Sequence, residues 1–252
     1  MVRVIMHGCF GKMGQVITRM VKDDPDIEIV AGIDRRVQEE GEYPVYESLK
    51  YCDVKADVLI DFSNAAATDE LLEECVRRKL PIVLCTTGLS KEQLEKVKTA
   101  SKETAVLKSA NMSLGVNLLM KLLQDATKVL APAGFDVEIV EKHHNQKLDA
   151  PSGTAIALAD SVNEAADGKY NYCYDRSRER KRREKNEIGI SSVRGGSIVG
   201  EHEVIYAGED EVIELKHTAY SKAVFAKGAI EAAKFLAEKQ EGFYEMSDVI
   251  RL

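Results

Sequence analysis

Apolar residues along the chain alternate between short unbroken runs and longer stretches with a helical repeat. Val2-Arg3-Val4-Ile5-Met6 reads as a buried strand, an amphipathic helix follows through about Val21, and Ile27-Glu28-Ile29-Val30-Ala31-Gly32-Ile33 reads as the next strand. The same alternation predicts a strand over 58–62, a helix over 65–79, a strand over 81–85, a helix opening at Ser90 with Gln93 as its capping-box partner, and a strand over 104–108. Strand and helix in turn imply a parallel sheet covered on both faces, an α/β doubly wound (Rossmann-type) architecture.

From about residue 114 the pattern changes. A helix over 114–130 leads into a strand over 136–142, a capped helix over 152–166, and three strand candidates at 188–193, 198–206 and 211–217. The last two are joined by Ala207-Gly208-Glu209-Asp210 as a hairpin. Neighbouring strands and segregated helices predict a second, α+β domain with an open mixed sheet. A final helix is expected over 222–239, and no internal repeat is visible.

Composition narrows the class. A chain of 252 residues with 44% hydrophobic content and no apolar run near 18 residues is expected to be globular and soluble, without a transmembrane helix. The N-terminal residues read as a strand at once, so no signal peptide is expected. Five cysteines, odd in number, scattered and without a CxxC pair, suit a reducing cytoplasm. A formal net charge of -7 argues against general nucleic-acid binding. The run from Asp175 to Glu187 carries a local excess of three positive charges, and on an acidic protein it reads as a solvated loop or helix. Tyr170, Tyr172 and Tyr174 before it have the period of a strand edge, suited to packing or to an interface.

Two stretches carry candidate chemistry. The first is Gly8-Cys9-Phe10-Gly11-Lys12-Met13-Gly14, between the first strand and the first helix. Glycines there let the backbone turn tightly and approach a pyrophosphate, although Phe10 stands where the usual fingerprint has its middle glycine. Asp34 falls 20 residues after Gly14, where an acid can bond ribose hydroxyls, which favours NADH; Arg35 and Arg36 directly after it could embrace the 2′-phosphate of NADPH. In such a sheet the ligand lies at the carboxyl ends of the strands. That places Phe62-Ser63, Cys85-Thr86-Thr87 and Ser109-Ala110-Asn111-Met112 around the nicotinamide half of a dinucleotide.

The second stretch, Glu141 to Thr154, packs two histidines, a lysine and a helix N-terminus into fourteen residues. Ser152 is a good N-cap after Pro151, so the amides of Gly153 and Thr154 should point at whatever precedes the helix and attract a carboxylate or phosphate. His143 and Lys147 supply ionisable groups nearby, either of which could donate a proton. Adjacent histidines after an apolar run commonly do no more than end a strand. A metal site is not expected, because neighbouring histidines on a strand point to opposite faces and no further pair completes a ligand set.

Taken together, the glycine loop, Asp57-Val58-Leu59-Ile60-Asp61-Phe62-Ser63, Thr86-Thr87-Gly88, the run Ala110 to Asn117, the block Glu141 to Thr154, and Arg194-Gly195-Gly196 through Val199-Gly200-Glu201-His202 resemble the dihydrodipicolinate reductase family. The blocks stand in the family's order from residue 2 to Ser247-Asp248-Val249. The resemblance implies a dinucleotide-binding domain of 1–113 with 221–252 and a substrate-binding and oligomerisation domain of 114–220. It implies NADH and/or NADPH as cofactor, held by Gly8, Cys9, Phe10, Gly11, Lys12, Met13, Asp34, Arg35, Phe62, Cys85, Thr86, Thr87, Ser109, Ala110, Asn111 and Met112. It also implies a cyclic dicarboxylate imine as substrate, with hydride delivered to ring C4. His143 and Lys147 are then the acid/base candidates, and His144, Ser152, Gly153 and Thr154 hold the carboxylates. A cytoplasmic homotetramer assembled through edge strands of the second sheet is implied as well.

Two positions depart from the family. Cys85 stands where glycine is common, and Ser221-Lys222 replaces a Ser-Arg pair, exchanging a guanidinium fork for a point charge. Two rival readings share the first domain: an amino-acid or homoserine-type dehydrogenase, and a dinucleotide sensor without turnover. Neither needs the block from His143 to Thr154.

Overall fold

In the computed structural model, residues 1–36, 41–174, 176–178 and 180–250 are described. The chain opens with β1 (Val2–His7), α1 (Lys12–Val21), β2 (Ile27–Ile33), the short β3 (Val45–Tyr46), β4 (Val58–Asp61), α2 (Thr68–Arg78), β5 (Ile82–Leu84), α3 (Lys91–Ala100) and β6 (Ala105–Leu107). It continues through α4 (Leu114–Leu130), β7 (Asp136–His143), α5 (Gly153–Ala165), β8 (Asn171–Cys173), β9 (Glu187–Arg194), β10 (Gly200–Ala207) and β11 (Val212–Ala219). It closes with α6 (Ala223–Leu236), β12 (Gly242–Tyr244) and α7 (Met246–Val249). Two compact units result: Met1–Leu114 with Ala223–Leu252, and Gly115–Lys222.

The first unit is an all-parallel sheet in the order β12-β6-β5-β4-β1-β2-β3. Its strands read as apolar runs because both faces are buried. Successive residues supply opposite cores: Val4 and Met6 pack with Ile17, Ala229 and Ala233 on one side, while Ile5 packs with Leu59, Leu72 and Val97 on the other. Along α1, Gly14, Ile17 and Val21 form the buried stripe. The capping box expected at Ser90 and Gln93 is formed at the start of α3. Strand order reverses beside β1, and there the crevice for a ligand opens.

The second unit is a mixed sheet in the order β11-β10-β7-β9-β8. β7 runs parallel to β9 and antiparallel to β10. Its alternate residues Val137 and Ile139 meet Leu119 and Leu123 of α4 and Leu158 and Val162 of α5. Tyr206 is wholly buried, its hydroxyl bonded to Thr127 Oγ1 (2.8 Å) and to the carbonyl of Leu123 (3.2 Å).

Two expectations change here. β10 lies inside the sheet, so of the pair expected at the edge only β11 is an edge strand. The basic run is also more than a solvated segment, although Asp175 and Glu179 lie outside the described residues. Arg183 binds Glu138 Oε1 (2.9 Å), Asp136 Oδ1 (2.7 Å) and the Val137 carbonyl (3.0 Å), and Arg176 pairs with Glu138 and Glu187. A planar fork can fasten a loop to a strand end in this way, which composition alone does not reveal.

Candidate active site

In the first unit, a cleft of about 450 Å³ lies at the carboxyl ends of β1, β2 and β4 and is lined by His7, Gly8, Gly11, Asp34, Arg35 and Phe62 among others. The glycines are demanded by close approach. Gly8 has φ +78°, and a Cβ there would lie 2.6 Å from the Phe62 carbonyl oxygen; one on Gly14 would lie 2.3 Å from the Gly8 carbonyl oxygen. Gly11 caps α1 without a side-chain hydrogen bond, so the first-turn amides of Lys12 and Met13 emerge beside the loop. This backbone cradle at a helix N-terminus fits a dinucleotide pyrophosphate.

Asp34 accepts from the backbone N–H of Phe10 (3.1 Å) and of Arg36 (3.1 Å). The Arg36 side chain folds back, donating to the Phe10 carbonyl (3.2 Å) and stacking over the Phe10 ring. The side chains of Cys9 and Met112 sit in the core, leaving only their backbone able to face a ligand. Asn111 is buried and accepts from the N–H of Ser113 (2.8 Å); Thr87 and Ala110 are exposed and Ser109 half-buried. Cys85 packs against the core, and burial, with Asp61 nearby, drives its thiol pKa far up.

Sequence reasoning missed the group beneath these loops. Asp61, fully buried, accepts from Thr86 Oγ1 (2.6 Å) and from the N–H of Ser63 (3.1 Å), and lies 2.7 Å from His7 Nδ1. Lys108 Nζ donates to the Thr86 carbonyl (3.2 Å), and burial lowers its pKa. One carboxylate thus ties the ends of β1, β4 and β5 together. The type of residue at position 61 gave no signal of this.

In the second unit, the end of β7 meets the N-terminus of α5. Glu141 and His143 are two apart on a strand and therefore share a face; both are buried, and His143 Nδ1 lies 2.6 Å from Glu141 Oε2. Arg194, at the end of β9, grips the same carboxylate with both terminal nitrogens (2.8 and 2.7 Å) and donates to the Asp149 carbonyl (2.6 Å). Ser152 caps α5 by accepting the N–H of Ala155 (3.1 Å), and its hydroxyl bonds His202 Nε2 (2.9 Å). His144, half-buried, follows the strand, and Lys147 reaches Asp149 Oδ1 (2.9 Å). Gly153 and Thr154 are the first residues of α5, and a Cβ on Gly153 would meet nothing within 4 Å. The structure therefore gathers His143, Lys147, Ser152, Gly153 and Thr154 around one helix end.

Glu141, Arg194 and His202 went unassigned from sequence. The spacing of Glu141 and His143 was a usable signal; the pairing of Glu141 with His202 across β7 and β10, and of His143 with Arg194 across β7 and β9, comes from sheet register.

Electrostatics here predict acid sensitivity. Burial, then the neighbouring His143, pushes the His202 pKa from 6.5 down to about 4. Burial would raise the Glu141 pKa, but hydrogen bonds from Arg194, Ser192 and His143 outweigh it and bring the value from 4.5 to about 2. Both folded pKa values are depressed, so the unfolded chain binds more protons and stability falls as pH falls. The His202 contribution, on the order of 3 kcal/mol, is complete above pH 6.5 and disappears towards pH 4; that of Glu141 disappears below 4.5. Urea midpoints should therefore drop steeply between pH 6.5 and 4, and less steeply for His202→Gln. Equal slopes for the two proteins would contradict this assignment.

Comparison with known proteins bears on both units. The family model described as "Dihydrodipicolinate reductase, N-terminus" matches residues 2–112, and "Dihydrodipicolinate reductase, C-terminus" matches residues 115–250. The chain is 51% identical over 251 residues to the 4-hydroxy-tetrahydrodipicolinate reductase of Caldanaerobacter subterraneus subsp. tengcongensis, covering 100% of this chain and 99% of that protein. It is 51% identical over 252 residues, with the same coverage, to the 4-hydroxy-tetrahydrodipicolinate reductase of Clostridium novyi. The solved structure of dipicolinate-bound dihydrodipicolinate reductase from Paenisporosarcina sp. TG-14 matches with a TM-score of 0.84 and 27% identity, over 99% of this chain and 100% of that one.

Proposed function

The chain belongs to the dihydrodipicolinate reductase family, and from that premise we propose that it reduces 4-hydroxy-tetrahydrodipicolinate to tetrahydrodipicolinate with NADH or NADPH, a step of diaminopimelate and lysine biosynthesis. The observation that carries this reading is the junction of β7 with α5. A proton-donating ring and a positively polarised helix end share one carboxylate, Glu141, through His143 Nδ1 and the N–H of Ser152. A site so built can hold an anionic ring and protonate it. The relative from Paenisporosarcina binds dipicolinate, a cyclic dicarboxylate of that kind.

Reduced nicotinamide, when bound, supplies hydride to ring C4 once loss of the hydroxyl has made a conjugated imine. The neighbouring ring carbon must then gain a proton. Lys147 is the better candidate for the immediate donor, a cation beside accumulating negative charge, and His143 relays the proton or orients the ring. His144 and the amides and hydroxyls of Ser152, Gly153 and Thr154 hold the carboxylates. Gly8, Phe10, Gly11, Lys12 and Met13 hold the pyrophosphate, Asp34 and Arg35 the adenosine ribose, and the segments at Phe62, Cys85–Thr87 and Ser109–Met112 the nicotinamide half.

The reading is tested by following the absorbance of reduced nicotinamide with the condensation product of aspartate semialdehyde and pyruvate. Cofactor is oxidised on this account. Turnover only with homoserine-type substrates, or binding without oxidation, would replace it with one of its rivals.

Cofactor choice follows from the Asp34 turn. Asp34 disfavours a 2′-phosphate, while Arg35 and Arg36 favour it, so both cofactors are used and NADH is at least as good. The two kcat/KM values should fall within about tenfold, equivalent to about 1.4 kcal/mol. Replacing Arg35 and Arg36 by Ala should weaken NADPH more than NADH. Equal losses, or a preference beyond about a hundredfold in the parent enzyme, would overturn the assignment.

The assembly proposed is a homotetramer through the second sheet. Among the described residues no strand pairs with the outer edge of β11, which exposes Val212 and Ile213. A monomeric mass at micromolar concentration would contradict it. The five free cysteines suit a cytoplasmic location, and among the described residues no helix is long and apolar enough to cross a membrane.

A further inference from the structure

Each oxygen of the buried Glu141 carboxylate accepts two N–H groups. Oε2 takes His143 Nδ1 (2.6 Å) and Arg194 Nη1 (2.8 Å); Oε1 takes Arg194 Nη2 (2.7 Å) and the backbone N–H of Ser152 (3.1 Å). Arg194 continues the chain to the Asp149 carbonyl, and Asp149 in turn pairs with Lys147. Resting on the reductase reading above, we propose that Glu141 is a positioning residue of the reaction: its carboxylate fixes the tautomer of His143, leaving Nε2 to exchange the proton, and sets the N-terminus of α5 beside that ring.

The chemistry of the donor set requires this. An ionised carboxylate has no proton to give, and its hydrogen bonds keep it ionised, so the proton in the short contact belongs to His143 Nδ1. Nε2 is then a bare lone pair in the neutral ring and an N–H in the cation. A Cβ on Gly200 would lie 3.1 Å from this nitrogen, so a residue without a side chain leaves that approach to the ring uncrowded. The charged and titratable groups around His143 are Glu141 on its own strand, Arg194 from β9, His202 from β10 with ring centroids 5.1 Å apart, and Lys147 and Asp149 in the following turn. His202 is neutral above about pH 4. Two fixed cations face two anions, and a protonated His143 is a third cation whose direct counter-ion is Glu141.

Glu141→Gln tests this while keeping the side chain's size. An amide has one oxygen, and both positions face donors, so either orientation turns an NH2 onto N–H groups. With charge and tautomer control gone, kcat/KM should fall at least about 100-fold, and the alkaline limb of its pH profile, where the proton donor is lost, should move down by about one unit or more. The Kd for NADH should stay within about twofold, because the substitution lies in the other unit. A structural role alone would not move the pH limb.

Because Glu141→Gln also strains a buried network, a measurement on the unmodified enzyme stands beside it. Nitrogen-15 NMR of histidine-labelled protein, assigned with His143→Gln, should show His143 protonated at Nδ1 and bare at Nε2 in its neutral form. The opposite tautomer would overturn the proposal, as would a folded Glu141→Gln enzyme with an unshifted limb and near-normal kcat/KM. If the unmodified enzyme fails to reduce the hydroxy-tetrahydrodipicolinate, the reductase reading fails by itself, and the NMR result still decides whether Glu141 sets the ring.

Discussion

Lys147→Ala is expected to lower kcat by about 10²- to 10⁴-fold, the span associated with losing a positioned proton donor. Its side chain is mostly covered and its ammonium pairs with Asp149, whose backbone carbonyl is in turn held by Arg194. The lysine is thereby placed relative to the same Arg194–Glu141 pair that contacts His143. Cofactor affinity should be nearly unchanged, because Lys147 belongs to the second unit and the glycine loop to the first. The division between kcat and KM separates two roles: a cation that only grips a substrate carboxylate would raise KM and leave kcat alone. His143→Ala should also cost turnover, and if the two groups act as one proton path the double variant will lose less than the product of the single losses. Near-normal turnover in Lys147→Ala would remove the residue from the mechanism.

Gly228→Ala should be the most damaging small substitution in the first unit. Alanine in a helix interior is worth about 1 kcal/mol over glycine, so on propensity alone α6 would gain. Packing reverses the sign. A Cβ on Gly228 would lie 1.6 Å from the Met112 carbonyl oxygen and 2.8 Å from its carbon, and neither is the movable end of a flexible side chain. Helix or loop must shift, at a net cost of about 3 kcal/mol, which for a protein of this size lowers Tm by roughly 10 °C. The loop displaced is Ser109–Met112, assigned here to the nicotinamide half, so NADH affinity should fall at least about tenfold as well. A Tm within about 2 °C of the parent would show that the contact relaxes freely. A large Tm loss with intact NADH affinity would separate this loop from the cofactor.

Much of the fold was legible because burial on two faces or one leaves different patterns. Val4, Ile5 and Met6 are all apolar since each serves a core, whereas Val137, Ile139 and Glu141 alternate with half-buried residues. The capping box at Ser90 and the long α4 were equally visible. Elements too short for any period were not: β3 has two residues and β12 three, and both exist because a neighbouring strand edge offers its backbone. The tyrosine alternation did mark β8, though Tyr170 just before it belongs to the core and Tyr172 bonds Asp160.

The site divides in the same way. His143, Lys147 and Ser152 stand within ten residues and could be read as one group. Arg194 is 53 residues from Glu141, and His202 is 50 from Ser152. What joins them is strand register, which no local pattern specifies. Asp61 is a further case, since its importance comes from three loops converging on one buried carboxylate.

The most direct measurement follows the hydride itself. With NADH carrying deuterium at the transferred position of the nicotinamide ring, and the hydroxy-tetrahydrodipicolinate as substrate in ordinary water, the product should be tetrahydrodipicolinate with deuterium at ring C4 and a solvent proton on the adjacent carbon. Tetrahydrodipicolinate without the label, label at any other ring position, or oxidation of NADH without that product would contradict the account.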